Sequence, residues 1–341
     1  MCTRGNPYFY FLLLLAGLPG ACSHSGGKKP ELPAAFASVS IQDTLPGTKT
    51  IDTATYLKIM KAIANGDSSG KWPPAVPLPM KGALLPFHRV VAYYGNFYST
   101  QMGVLGEYDR EKVIEMLQKE VRKWEAADTS TPVIPAIHYI AVTAQARSGK
   151  DGKYRARMPV AEINKAISMS REIKGIVFLD IQVGLSRLED EIPLLEEFLV
   201  QPDVHLGIDP EYSMKTGARP GTLIGSFDAL DINYAVDYLA GLVQRHHLPP
   251  KILVVHRFTE AMVTNYKKIQ SRPEVQIVIN MDGFGPPANK RNSYLQFIYK
   301  QPVQFTGFKL FYHVDTRGGK PLMQAREVLG LVPKPVYIQY Q

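Results

Sequence analysis

Several short apolar runs of this sequence finish on acids, amides or histidines. GIVFLDIQ at 175–182 ends Asp180-Ile181-Gln182, and VHLGID at 204–209 continues as Asp209-Pro210-Glu211-Tyr212. KILVVHR at 251–257 ends His256-Arg257, VQIVINM at 275–281 leads into Asn280-Met281-Asp282, and FTGFKLFYH at 305–313 reaches His313-Val314-Asp315. Other runs add His138, Gln339, Tyr93, Tyr94 and Asn96. Two carboxyl groups facing each other across a cleft, one protonated and one ionised, are what hydrolysis of a glycosidic bond requires. Crowded carboxylates push each other's pKa values apart and so make an acid and a base from like groups. A second chemistry uses the same stretch of residues. His138, Asp180, Asp209, His256 and His313 are ligand types for a divalent ion with a bound water as nucleophile.

Structural duties compete for some of these positions. Asp209 precedes Pro210 and suits a turn, Asp315 precedes Thr316-Arg317-Gly318-Gly319 and suits a loop cap, and His138 and His256 suit hydrogen-bonded core histidines. Asp180 is the hardest to explain structurally, because a carboxylate after Ile-Val-Phe-Leu needs a partner or a task.

The elements that position them repeat regularly. Strand-like runs fall at 89–94, 133–139, 175–182, 204–209, 251–257, 275–281, 305–313 and 335–340. Amphipathic segments near 110–126, 160–173, 188–200, 230–246, 259–271, 289–300 and 321–329 lie between them. Eight strands alternating with seven helices predict an α/β chain of the (β/α)8 TIM-barrel class, with the eighth strand at the C-terminus. An open doubly wound sheet has the same alternation, but no GxGxxG or GxxxxGK[ST] follows any strand. Strand ends of a barrel open into its functional face, and alternation sets which side chains point inward. Val177, Leu179 and Ile181 outward places Asp180 and Gln182 inward. Asp209 and Glu211 share one face, as do Asn280 and Asp282, while His256 follows Val254. Lys309, Phe311, His313 and Asp315 share a parity on strand seven. One mouth then collects the carboxylates, two histidines and a lysine.

This layout resembles secreted TIM-barrel glycoside hydrolases, in which a carboxylate after strand four is commonly the acid. Asn280-Met281-Asp282-Gly283 is similar to the Met-x-Tyr-Asp strand of chitinase-like families, although the DxxDxDxE motif is absent and strand four offers Asp209-Pro210-Glu211. The stretch 205–258 (HLGIDPEYSM, PGTLIGSFDALDIN, LPPKILVVHRF) also resembles an uncharacterised family of bacterial lipoproteins. The first resemblance implies Glu211 as general acid, Asp209 or Asp180 as its ionised partner and Asp282 orienting the substrate. Gln182, His256, Asn280 and His313 then hydrogen-bond sugar hydroxyls, and Tyr94 and Tyr212 belong to an aromatic rim suited to sugar rings. No cofactor is implied. The HxH pair expected on strand one of amidohydrolase-like barrels is missing, since Tyr93-Tyr94 stand there. A third reading is a barrel that binds a glycan or cell-wall polymer without turning it over.

The beginning of the chain reads as an address. Arg4, the apolar run YFYFLLLLAGL at 8–18 and Gly20-Ala21 form a secretory signal layout over 1–21, and Cys22 sits where a lipobox places its lipidated residue. Residues 22–50 read as a tether, and 51–87 as an N-terminal helix (52–65) and a proline-rich extended connection that packs on the barrel of 88–341. The implied location is the bacterial cell envelope, lipid-anchored on its periplasmic or extracellular face. The implied partners are a carbohydrate and, through the lipid, a membrane. Of 341 residues, 39 are basic and 31 acidic, but the excess of +8 is diffuse and does not form a nucleic-acid footprint. Cys2 and Cys22 are the two cysteines, so the body has neither a thiol nucleophile nor a thiolate metal site.

Overall fold

The computed structural model describes residues 51–341, so the leader of 1–21, the lipid-bearing Cys22 and the tether of 22–50 lie outside the described residues. Eight parallel strands close into a barrel. They are β1 (Arg89–Gly95), β2 (Val133–Ala144), β3 (Ile176–Ile181), β4 (Val204–Ile208), β5 (Lys251–Arg257), β6 (Val275–Met281), β7 (Phe305–Leu310) and β8 (Tyr337–Tyr340). Each strand pairs with the next in sequence, and β1 pairs with both β2 and β8, which leaves no open edge. A short antiparallel strand, Arg155–Arg157, extends the far end of β2.

Alternation along the strands separates two apolar layers. Val91, Tyr93, Ile137, Val177, Leu179, Ile208, Val255, Ile277, Phe308 and Ile338 pack outward against the helices. Val90, Ala92, Ala136, Phe178, Val254, Val278, Phe305 and Tyr337 fill the barrel. Full burial of one large apolar side chain contributes about 1.5–3 kcal/mol, so both layers are strongly selected. A one-residue slip of any strand would exchange its faces and cost most of that.

The outer helices form where caps and periodicity agree. Helix α1 spans Thr53–Ile63, α2 Arg110–Ala127, α3 Val160–Glu172 and α4 Ala229–His246. Asp109 caps α2 by accepting the Lys112 N–H, and the helix buries Val113, Leu117, Glu120 and Trp124, which recur at helical spacing. Asp228 and Asp231 form a capping box at α4. Two shorter helices, α5 (Pro287–Ser293) and α6 (Ala325–Leu329), follow β6 and β7. Beyond α5 the chain widens into a π-helical stretch, Tyr294–Tyr299.

Three expected helices differ. The 188–200 segment breaks at Ile192–Leu195 into a tighter turn containing Pro193, which has no N–H to continue an α-helical ladder. The 321–329 segment is helical only over Ala325–Leu329. The 259–271 segment is not an α-helix. It contains a two-residue strand, Val263–Thr264, paired with Phe227–Asp228, and the turn Tyr266–Lys268. The cause is Arg257, a buried residue of β5. Its guanidinium donates to the carbonyls of Thr259, Glu260, Phe297 and Val263 and to Gln301 Oε1, so carbonyls that a helix would need are committed elsewhere.

Helix α1 was expected to pack on the barrel, and it does so at one end and not on the outer wall. Tyr56, Met60 and Ile63, with Leu84 and Leu85, join the interior cluster and stopper the N-terminal end of the barrel. Gln276 holds this floor: its Oε1 accepts the N–H groups of Leu84 and Leu85 at 3.0 and 3.1 Å, and its Nε2 donates to Leu85 O. Among the described residues no helix is long and apolar enough to cross a membrane.

Candidate functional site

The strand ends opposite that floor carry the polar residues. Register places Asp180 beside Gly207 across β3 and β4, and His256 beside Asn280 across β5 and β6. Tyr94 of β1 lies beside His138 of β2. Gln182 and Asp209 follow one inward position above Asp180 and Gly207, and Asp282 one above Asn280. Two interior glycines make the room. A Cβ on Gly207 would lie 2.3 Å from Asp180 Oδ1 and 2.5 Å from His138 Nε2, and one on Gly307 would lie 2.6 Å from Asn280 Oδ1. Glycine inside a strand marks such a close approach.

The deepest part is a closed network. Asp180, His138 and His256 are each 0 % exposed. Tyr94 donates its hydroxyl to Asp180 Oδ2 at 3.0 Å. Asp180 Oδ1 faces His138 Nε2 at 3.3 Å and His256 Nε2 at 3.5 Å. His256 Nδ1 pairs with Asp282 Oδ2 at 3.0 Å, and His138 Nδ1 pairs with the Tyr337 hydroxyl at 2.5 Å. Gln339 donates to the same hydroxyl at 3.0 Å and accepts from Asn280 at 3.4 Å.

Above it sits the mouth. Asp209 Oδ1 accepts the Glu211 N–H at 3.0 Å, which turns the chain through Pro210–Tyr212 and brings Glu211 over the opening. Gln182 donates to Asp209 Oδ2 and to the Tyr94 hydroxyl, each at 3.4 Å, and its own oxygen accepts the Ala144 N–H. Lys309 places its ammonium 3.8 Å from the centre of the Tyr94 ring, within the field of all four carboxylates.

Electrostatics sort these groups. Burial pushes Asp180 up, but the His256 charge and the close approach of both imidazoles outweigh it and hold the carboxyl well below the usual range. For His256 burial lowers the pKa, while Asp180 and Asp282 raise it further, to about 10. Burial brings His138 down to about 4 against the pull of Asp180. Asp209 is pushed up to about 7, chiefly by burial, with His256 opposing and Asp180 and Asp282 adding. Glu211 rises well above the ordinary glutamate value through burial, then Asp209 and Asp282. Tyr212 rises for the same kind of reason, from burial and then Glu211.

Asp180, Asp209, Glu211 and Asp282 are therefore brought together, with Gln182, His256, Asn280, Tyr94 and Tyr212. His256 lies deeper than a sugar-contacting residue, being wholly buried between Asp180 and Asp282. His313 is not brought in. Strand β7 stops at Leu310, the chain turns, and His313 projects outward to pair with Glu107 at 2.7 Å. Asp315 caps that turn instead, accepting the N–H groups of Phe311 and Gly285 and pairing with buried Lys290 at 2.7 Å. Of the five residues weighed as metal ligands, His138, Asp180 and His256 converge, with one ligand atom each and all within 4.8 Å of one another.

Tyr337, Lys290 and the two glycines were missed in the sequence. Tyr337 had a legible signal, since it shares parity with Gln339. Gly207 and Gly307 had another, each interrupting an apolar strand. Lys290 had none, because Lys309 O and Asp315 are distant in sequence and Gly283 offers only a backbone carbonyl.

No protein-family model matches the chain, and no curated protein matches it. Solved structures similar to it include a ruminal GH26 endo-β-1,4-mannanase, at TM-score 0.37 and 11% identity, covering 82% of this chain and 65% of that one. Another is the GH53 catalytic domain of Ignisphaera aggregans, at TM-score 0.31 and 11% identity, covering 78% and 88%. The chain thus spans about 65% of the mannanase's length.

Proposed function

We propose that this barrel hydrolyses glycosidic bonds of a polysaccharide or glycan by carboxylate acid/base catalysis. The observation that carries the reading is the convergence of Asp209, Glu211 and Asp282 at one mouth, where burial and the neighbouring carboxylates raise the pKa values of Asp209 and Glu211. Glu211 is the general acid, because burial and the charges of Asp209 and Asp282 favour its protonated form. Asp209 beside it is the nucleophile or base. Asp180 is walled in by Tyr94 and two histidines, so its task is to fix the network beneath the reacting pair. Asp282, Gln182 and Tyr212 orient hydroxyls at the rim, while Asn280, wholly buried and bonded to Gln339, supports the network below and does not reach a sugar. The enzyme is secreted and held at the bacterial envelope through lipid on Cys22, a reading supported by the apolar run and small residues before that cysteine.

The test is reducing-end release from a panel of polysaccharides. Wild type should release ends from at least one, and Glu211→Gln should abolish this while melting like wild type. Glycan-array binding that survives Glu211→Gln together with Asp209→Asn, with no turnover by the wild type on any substrate, would instead favour a non-catalytic glycan-binding barrel.

A further inference from the structure

We propose that His138, Asp180 and His256 bind a divalent transition-metal ion of the zinc class, one side-chain layer beneath Asp209 and Gln182. This goes beyond the hydrolytic reading and does not depend on it.

The first argument is three orphaned atoms aimed at one point. His138 Nε2, Asp180 Oδ1 and His256 Nε2 are buried and face one another at 3.3 and 3.5 Å, yet none is aligned for a hydrogen bond. Buried polar atoms without partners are uncommon, and three around one point call for a common occupant. The second is spacing. Ligands about 2.0–2.1 Å from a tetrahedral ion stand roughly 3.3 Å apart. Asp180 Oδ1 stands 3.3 Å from His138 Nε2 and 3.5 Å from His256 Nε2.

The third argument is the far side of each ligand. His256 uses Nδ1 on Asp282, His138 uses Nδ1 on Tyr337, and Asp180 uses Oδ2 on Tyr94. Each residue is thus held from behind with its free atom forward. A carboxylate behind a histidine is the usual support of a metal-bound imidazole. The His138 ring is further fixed by stacking on Phe178, with ring centres 5.1 Å apart and planes 9° apart. The fourth is space. The Cβ that Gly207 lacks would sit 2.3 Å from Asp180 Oδ1 and 2.5 Å from His138 Nε2, close to metal-bond length from both. Glycine leaves that volume open. Two imidazoles and one carboxylate suit zinc, cobalt or nickel better than calcium or magnesium, and three protein ligands leave a fourth position for a water or a substrate oxygen.

The experiment uses the full chain, stripped with chelator and then titrated with Zn(II) or Co(II). One equivalent of zinc should remain after dialysis, and bound Co(II) should give the strong visible bands of a four-coordinate site. His138→Gln and Gly207→Ala should each abolish both signals. Asp282→Asn should weaken binding by about 10–100-fold, the usual effect of losing a supporting carboxylate. Asp209→Asn should leave binding intact, which separates this site from the reacting carboxylates. A wild-type protein that retains no stoichiometric ion overturns the proposal. So does binding that persists in folded His138→Gln and Gly207→Ala proteins. If those variants do not fold, the wild-type cobalt spectrum decides: weak, six-coordinate bands reject the site.

Discussion

Adding one methyl group inside the barrel, through Gly307→Ala, should be among the most damaging small changes available. The new carbon would come within 2.6 Å of Asn280 Oδ1, 2.9 Å of Tyr337 Cδ1 and 3.1 Å of Asn280 Cγ. Neither neighbour can retreat. Asn280 and Tyr337 are both 0 % exposed, and the Tyr337 hydroxyl is held by His138 and Gln339. Overpacking a core usually costs about 1–3 kcal/mol, and two clashes on immobile groups place this one near ~3. For a body of this size, at about 2.1 cal/mol/K of unfolding entropy per residue, each kcal/mol shifts Tm by about 1.6 °C, so the midpoint should fall by about 5 °C. Gly330→Ala is the control. Its backbone is right-handed and its added carbon would approach nothing nearer than Glu327 O at 3.4 Å, so it should change stability by less than ~1 kcal/mol. Both are read by thermal melting in parallel with wild type. If Gly307→Ala melts within a degree or so of Gly330→Ala, the barrel interior is looser than these distances require, and the crowded geometry inferred for the site is refuted.

Other expectations follow from the same contacts. Hydrolysis should fall about tenfold per unit as pH drops below about 7, because Asp209 must be ionised and its carboxyl titrates there; a profile flat from pH 5 to 8 would remove Asp209 from the reacting role. Arg257→Met strips five acceptors of their donor and should destabilise the barrel by at least ~3 kcal/mol in urea unfolding, with Arg257→Lys intermediate. Lys290→Met removes a buried ion pair and two further hydrogen bonds, for a loss of about 3–5 kcal/mol. Burial lowers the Lys290 pKa to about 8, so the unfolded chain binds the extra proton between about 8 and 10.5, and wild-type stability gains with pH over that window. The gap between wild type and Lys290→Met should therefore widen by ~2 kcal/mol from pH 7.5 to 9.5, and a gap that narrows would contradict the assignment.

The strands were legible because their side chains obey a two-residue period wherever one face meets the helices and the other the interior. Val177, Leu179 and Ile181 point outward, and that alone placed Asp180 within the barrel. The same rule failed for His313, because parity holds only while the strand lasts and β7 ends at Leu310. Helices were less legible where a side chain from elsewhere competes for backbone carbonyls, as Arg257 does over 259–263. The partners behind these residues, Tyr337 for His138 in the site and Lys290 for Asp315 in the turn after β7, are long-range pairs that no local pattern matches to one another. Clustered acids were visible in the sequence. The distances that favour a metal at Asp180 depend on how neighbouring strands align.

The stopper formed by α1 and Leu84-Leu85 has a consequence for where this domain begins. It precedes every strand in the chain, yet it closes the end of the finished barrel in one cluster with Val90, Phe178, Val254 and Val278. A fragment starting at β1 would open the bottom of the barrel to water and leave Gln276 without its three backbone partners. The smallest unit that folds therefore begins near Asp52, and a reporter or tag fused just ahead of β1 would replace a core element instead of extending a terminus.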